Sequence, residues 1–160
     1  MRNVNANGLL NVAIFNEAVV DEWRMLRLCG DPTTNTGGYS AFSGDMRSDV
    51  CVDVATERLP DFLDRKGITR VALLKLDCEG GEYQILRSMV DRLDQVAMLI
   101  TEVHENNATR AEYGSGARLI ADMEARIPHV RASLITIPDA LNAHGQSIVL
   151  TTKEYTPCLL

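Results

Sequence analysis

The stretch Val71-Ala-Leu-Leu-Lys-Leu-Asp-Cys-Glu-Gly-Gly-Glu-Tyr-Gln-Ile-Leu86 decides how the rest of the chain reads. Residues 71–76 are apolar apart from Lys75, and the run is too short for an ordinary helix. Such a run predicts a strand buried on both faces, in the middle of a sheet. It stops at Asp77, and Gly80 and Gly81 follow. The apolar period then changes: Ile85, Leu86, Met89, Val90 and Leu93 line one face of a helix. Strand, acidic turn and helix make half of a βαβ unit. In open α/β sheets ligands bind just beyond the carboxyl ends of the strands, and Asp77, Glu79 and Glu82 occupy that position.

Residues 96–103 predict a second buried strand. Glu102 and His104 are two residues apart and share one face of it. If this strand lies parallel to the first, both side chains end near Asp77. Asp77, Glu102 and His104 can then form an acid–base set that removes a hydroxyl proton. The same groups suit a divalent cation, although no metal ligand is assigned from the sequence. The plain alternative is three solvated residues at strand ends. Carboxylates in a first helical turn gain about 0.3–1 kcal/mol from the helix dipole. That reading is preferred for Glu82, and function is preferred for Asp77. Gly80 and Gly81 are costly in a helix start unless a ligand or tight packing needs the close approach. Lys75 is expected to pair with an acidic neighbour. Cys78 sits among carboxylates that oppose thiolate formation, so it is not assigned as a nucleophile.

Elsewhere, residues 1–10 read as the tail of a helix or a surface turn, ending at Asn7-Gly8. Residues 11–15 and 23–28 read as strands, with Asn16-Glu17 breaking the first from Ala18-Val19-Val20. Residues 30–46, rich in Gly, Ser and Thr, read as a loop. Residues 50–54 alternate as a strand, and Thr56 is placed as the N-cap of a short helix that Gly67 ends. Residues 105–116 read as a loop, and 117–127 as a helix stopped by Pro128. Two strands, 130–137 and 147–152, close the chain as an antiparallel hairpin around 142–145. His129 and His144 have no partners at a recognisable spacing, and Trp23 and Tyr39 could stack on a ligand ring or simply pack.

The run Leu74-Lys-Leu-Asp-Cys-Glu-Gly-Gly-Glu-Tyr83, followed by Ile85-Leu86, resembles the signature of FkbM-type methyltransferases. There a strand ending Lys-(Ile/Leu)-Asp leads into x-Glu-Gly-x-Glu and a helix. The resemblance runs from about residue 11 to residue 104 and includes Thr101-Glu-Val-His104 at a strand end. Thr36-Gly-Gly-Tyr-Ser40 resembles a loop that the family carries near its active site. The resemblance implies an α/β, Rossmann-like methyltransferase sheet with a C-terminal antiparallel hairpin, and S-adenosylmethionine as cofactor. It also implies methyl transfer to a small-molecule or sugar hydroxyl. Asp77, Glu102 and His104 would be catalytic, and Glu79, Gly80 and Gly81 would bind the cofactor. One departure stands out. No Asp-x-Gly-x-Asn-x-Gly-like turn precedes Asn11, so the match starts partway through the family's domain. The expectation is therefore an N-terminally truncated domain, which puts cofactor binding and activity in question. The alternative function is a non-catalytic α/β scaffold or oligomerisation domain. In the family the absent first strand would flank residues 72–76, and a homodimer that covers this edge is expected.

Composition limits the alternatives. The 160 residues suit one domain, and 46% hydrophobic with 24% charged residues is ordinary for a globular chain. A net charge of −6 without a basic run disfavours nucleic acid and anionic membrane surfaces as partners. The N-terminus has no signal-peptide core, and no stretch approaches the length of a membrane span. Cys29, Cys51, Cys78 and Cys158 lack zinc-site spacing. They are expected to be reduced thiols in a cytoplasmic protein.

Overall fold

The computed structural model describes residues 2–30, 41, 50–104, 107–126, 130–135 and 145–152. In chain order the elements are α1 (Arg2–Ala6), β1 (Ala18–Val20), β2 (Met25–Cys29), β3 (Cys51–Arg58), α2 (Leu59–Arg65), β4 (Leu74–Leu76) and α3 (Glu82–Ser88). After a 3-10 turn at Leu93–Gln95 come β5 (Met98–His104), α4 (Asn107–Tyr113), α5 (Gly116–Arg126), β6 (Val130–Ile135) and β7 (Gly145–Thr152). Among the described residues the architecture is mixed α/β with two small sheets, ordered β1-β3-β2 and β4-β5-β7-β6.

The parallel pair that carries the site is β4 with β5, at one end of the second sheet, in the register Leu74↔Leu99 and Leu76↔Thr101. A single parallel bridge, Val71↔Val96, extends it backwards. The closing hairpin forms as expected, with β7 antiparallel to both β5 and β6. Period-two alternation sorts β5 into two faces. Leu99, Thr101 and Val103 are buried, whereas Met98, Ile100, Glu102 and His104 are only partly covered. Leu76, Leu99 and Val103 of the sheet pack with Tyr83, Leu86 and Met89 of α3 and with Leu119 and Met123 of α5. The helices thus lock the start of α3 against the ends of β4 and β5, which is what positions the site.

Several expectations need correction. Residues 71–76 are not buried on both faces. Ala72, Leu73 and Lys75 are exposed, Leu73 by 52%, and β4 has a strand partner on one side only among the described residues. The helices cover only the face that carries Leu76, so an apolar run became a half-covered edge.

Residues 11–15 are not a strand. Their hold on the fold comes from side chains: Phe15 meets Phe62 edge-on at 5.0 Å, and the Lys66 ammonium lies 4.3 Å from the Phe15 ring centre. Thr56 belongs to β3 and caps no helix. Its hydroxyl accepts from the Arg24 amide at 2.9 Å and donates to the Glu22 carbonyl at 2.8 Å. The helix starts later, with Pro60 in its first turn, where a missing N–H costs nothing.

The expected loop at 105–116 contains α4. Tyr113 stacks on Tyr83 at 5.5 Å and accepts a 2.8 Å hydrogen bond from Gln84, and such tertiary contacts override weak local propensity. After residue 30 the described residues resume at residue 50, apart from residue 41, and most of the loop expected at 30–46, including Thr36–Ser40, lies outside them. So do Tyr39, His129, His144 and the turn at 142–144.

The cysteines also differ from expectation. Cys29 and Cys51 stand opposite each other on β2 and β3, 4.2 Å apart at Cα, and form a disulfide. A separation of 22 residues gives no hint of the pairing until the strands align. Closing a loop of that size stabilises a fold by about 3 kcal/mol in the chain-entropy picture. Disulfides belong with oxidising compartments, so the cysteines no longer argue for a cytoplasmic placement. Cys78 is free and exposed. Among the described residues no helix is long and apolar enough to cross a membrane.

Candidate active site

The turn between β4 and α3 is shaped by its own backbone. The Gly81 amide donates to the Cys78 carbonyl at 3.1 Å. Glu79 takes a left-handed φ of 50°, unusual outside glycine, and Gly80 follows at φ 108°. A Cβ on Gly81 would lie 3.3 Å from the Cys78 Cβ and 3.4 Å from its carbonyl oxygen. The two glycines therefore serve the turn: one supplies a dihedral, the other a close approach.

Glu82 closes the turn from inside. It is fully buried, and its carboxylate reaches back to accept the Cys78 amide at 2.6 Å and the Gly80 amide at 3.0 Å. Both amides precede the helix, so Glu82 closes the turn and does not make the helix cap expected of it. The same Oε1 also lies 3.0 Å from His104 Nδ1. A carboxylate only accepts, so Nδ1 donates and Nε2 points the other way. On that side stand Glu79 Oε2 at 3.7 Å and Glu102 Oε1 at 3.9 Å. The His104 imidazole is pushed up to about 9, first by its hydrogen bond to Glu82, with the charges of Glu82, Glu79 and Glu102 adding and burial opposing. It therefore carries a proton at neutral pH. Thr109 holds the end of β5 from α4, donating to the His104 carbonyl at 3.2 Å.

Asp77 lies where β4 stops, exposed, with the Lys75 ammonium 2.9 Å from its Oδ2. The expected structural pairing of Lys75 is thus present, and Asp77 holds the Lys75 ammonium above its ordinary value. Cys78 is pushed up by burial of its thiol and by the charges of Glu82 and Asp77, although solvent reaches the residue. It is not poised as a thiolate.

The structure brings Asp77, Glu102 and His104 together, with one ligand atom of each within 4.8 Å of the others. Glu79 joins them through His104. Gly80 and Gly81 stand one turn away, with their amides turned to Glu82 and Cys78. The sequence reading missed what Glu82 does in place of capping. Glu82 and His104 are 22 residues apart, and no spacing rule links them. The available signal was positional: both sit at the carboxyl edge of adjacent parallel strands.

Compared with known families, residues 7–143 match a family described as the methyltransferase FkbM domain. No curated protein and no solved structure matches the chain.

Proposed function

The chain belongs to the FkbM methyltransferase domain family, and on that premise we propose that it moves a methyl group from S-adenosylmethionine to a hydroxyl of a small molecule or sugar. The observation that carries this reading is the meeting of Asp77, Glu102 and His104 at the carboxyl edge of a parallel strand pair, inside the matched residues. The order β4-β5-β7-β6 with its antiparallel hairpin supports a Rossmann-like frame for that edge.

S-Adenosylmethionine is a sulfonium cation that supplies an electrophilic methyl group, and an edge lined by Asp77, Glu79 and Glu102 suits a positive ligand. Of the residues expected to hold it, Glu79 offers a side chain at this edge, while Gly80 and Gly81 act by shaping the turn. With no ion bound, His104 carries its proton, and that charge would stabilise negative charge on the acceptor oxygen. The base that takes the hydroxyl proton is Asp77 or Glu102, both open to solvent.

Calorimetric titration of the full chain with S-adenosylmethionine and S-adenosylhomocysteine tests this most directly. Binding in the micromolar range is expected. No binding at millimolar ligand would remove the enzyme and leave the non-catalytic scaffold. The reading extends to assembly. The far edge of β4 has no strand beside it among the described residues, and a second copy pairing there about a two-fold axis would cover Leu73. Sedimentation equilibrium should show twice the 17.7 kDa chain mass, and a clean monomer at micromolar concentration would refute the dimer.

A further inference from the structure

We infer that Asp77, Glu102 and His104 Nε2 hold a six-coordinate divalent cation of the Mg2+/Mn2+ class at the carboxyl edge of β4 and β5, the Nε2 proton passing to solvent as the ion binds. The donor set is two carboxylates and one imidazole, each presenting a ligand atom within 4.8 Å of the other two. Bonds of about 2.1 Å place two ligands of one ion about 3.0 Å apart when adjacent and about 4.2 Å apart when opposite. The Glu102–His104 separation of 3.9 Å already falls in that range. Asp77 is exposed, so a modest rotation of its side chain closes the rest.

A second observation comes from outside the donor set. Glu82, fully buried under the turn, takes Nδ1 of His104 and fixes the ring with Nε2 toward Glu102 and Glu79. An imidazole whose remote nitrogen is anchored on a carboxylate is the usual support of a metal-ligating histidine. Here the anchoring carboxylate is itself held by two backbone amides, so the acceptor that orients the ring is fixed in place. Glu79 Oε2, 3.7 Å from the same nitrogen, stands ready to accept from a water of the ion. Three protein donors leave three coordination positions for oxygen atoms of water or of an acceptor. Carboxylate-rich sets favour hard ions, and the single nitrogen favours Mn2+ over Mg2+.

The site itself stands on this geometry; only its use in holding a hydroxyl-bearing acceptor rests on the methyltransferase reading. The test therefore uses the metal alone. The full chain is titrated with Mn2+, following loss of the free-ion electron paramagnetic resonance signal, without cofactor or acceptor. One saturable site per chain is expected, displaced by excess Mg2+. Glu102→Gln and Asp77→Asn, both at solvent-open positions, should each weaken it about tenfold or more with unchanged circular dichroism. Lys75→Gln, which frees the Asp77 carboxylate from its ammonium, should tighten it. Absence of saturable binding below about 1 mM, weaker than even low-affinity protein sites, overturns the inference. So does binding that neither carboxamide variant weakens. Failure of S-adenosylmethionine to bind in the separate calorimetric titration would leave this result untouched.

Discussion

Glu82→Gln is expected to lower stability by about 3 kcal/mol, the low end of the cost of removing one partner from a buried charged pair. In a chain of this size that is a fall of roughly 6–12 °C in Tm. The exchange keeps the shape but replaces one acceptor oxygen with an NH2 group. Three donors converge on this carboxylate: the amides of Cys78 and Gly80, and His104 Nδ1. The carboxamide leaves at least one of them facing another donor in a site closed to water. Glu82 is therefore no mild position, contrary to its reading as a simple cap. The effect also has a pH signature. His104 is pushed up to about 9 in the fold, chiefly by Glu82, against an ordinary value of 6.5. A raised imidazole contributes stability that is fully present below pH 6.5 and is lost as pH rises through about 9. Urea unfolding at about pH 6 and about pH 9.5, with chelator present, should thus show wild type losing stability across that window, while Glu82→Gln changes far less. Equal pH slopes would separate Glu82 from His104.

The features legible in the sequence are those governed by local rules of short range. The change from an apolar run to helical spacing placed β4 and α3, and alternation placed Glu102 and His104 on one face of β5. The parallel pairing then brought Asp77 to them. Features that depend on distant alignment stayed hidden. The Cys29–Cys51 disulfide exists only once β2 and β3 pair. The Glu82–His104 contact exists only once α3 seats on the sheet. Thr56 looked like a cap because Ser and Thr favour caps, yet a hydroxyl satisfies a cross-strand amide equally well. The burial of β4 was also misread, although its uncovered edge was expected. An apolar run reports a preference for burial, not whether neighbouring elements supply it.

Asp77→Asn should cost about 10²- to 10⁴-fold in kcat of methyl transfer, the span of a lost general acid or base, with Tm nearly unchanged. The second half rests on exposure. The Asp77 and Lys75 side chains are 42% and 65% accessible, and an ion pair that open contributes little to stability. A variant that loses several degrees but keeps full activity would make Asp77 a cap and move the site elsewhere. The activity loss can also be divided between two roles. If Asp77 acts mainly as a ligand of a divalent cation, the variant still carries a neutral oxygen at that position, and saturating Mn2+ should restore part of the rate. If Asp77 takes the hydroxyl proton, no cation concentration restores it, because a carboxamide oxygen is far too weak a base. Measuring kcat of Asp77→Asn across a Mn2+ series, with Glu102→Gln alongside, shows which carboxylate serves as the base in addition to holding the cation. A carboxylate whose variant recovers with metal acts through the cation, and one whose variant does not also takes the proton.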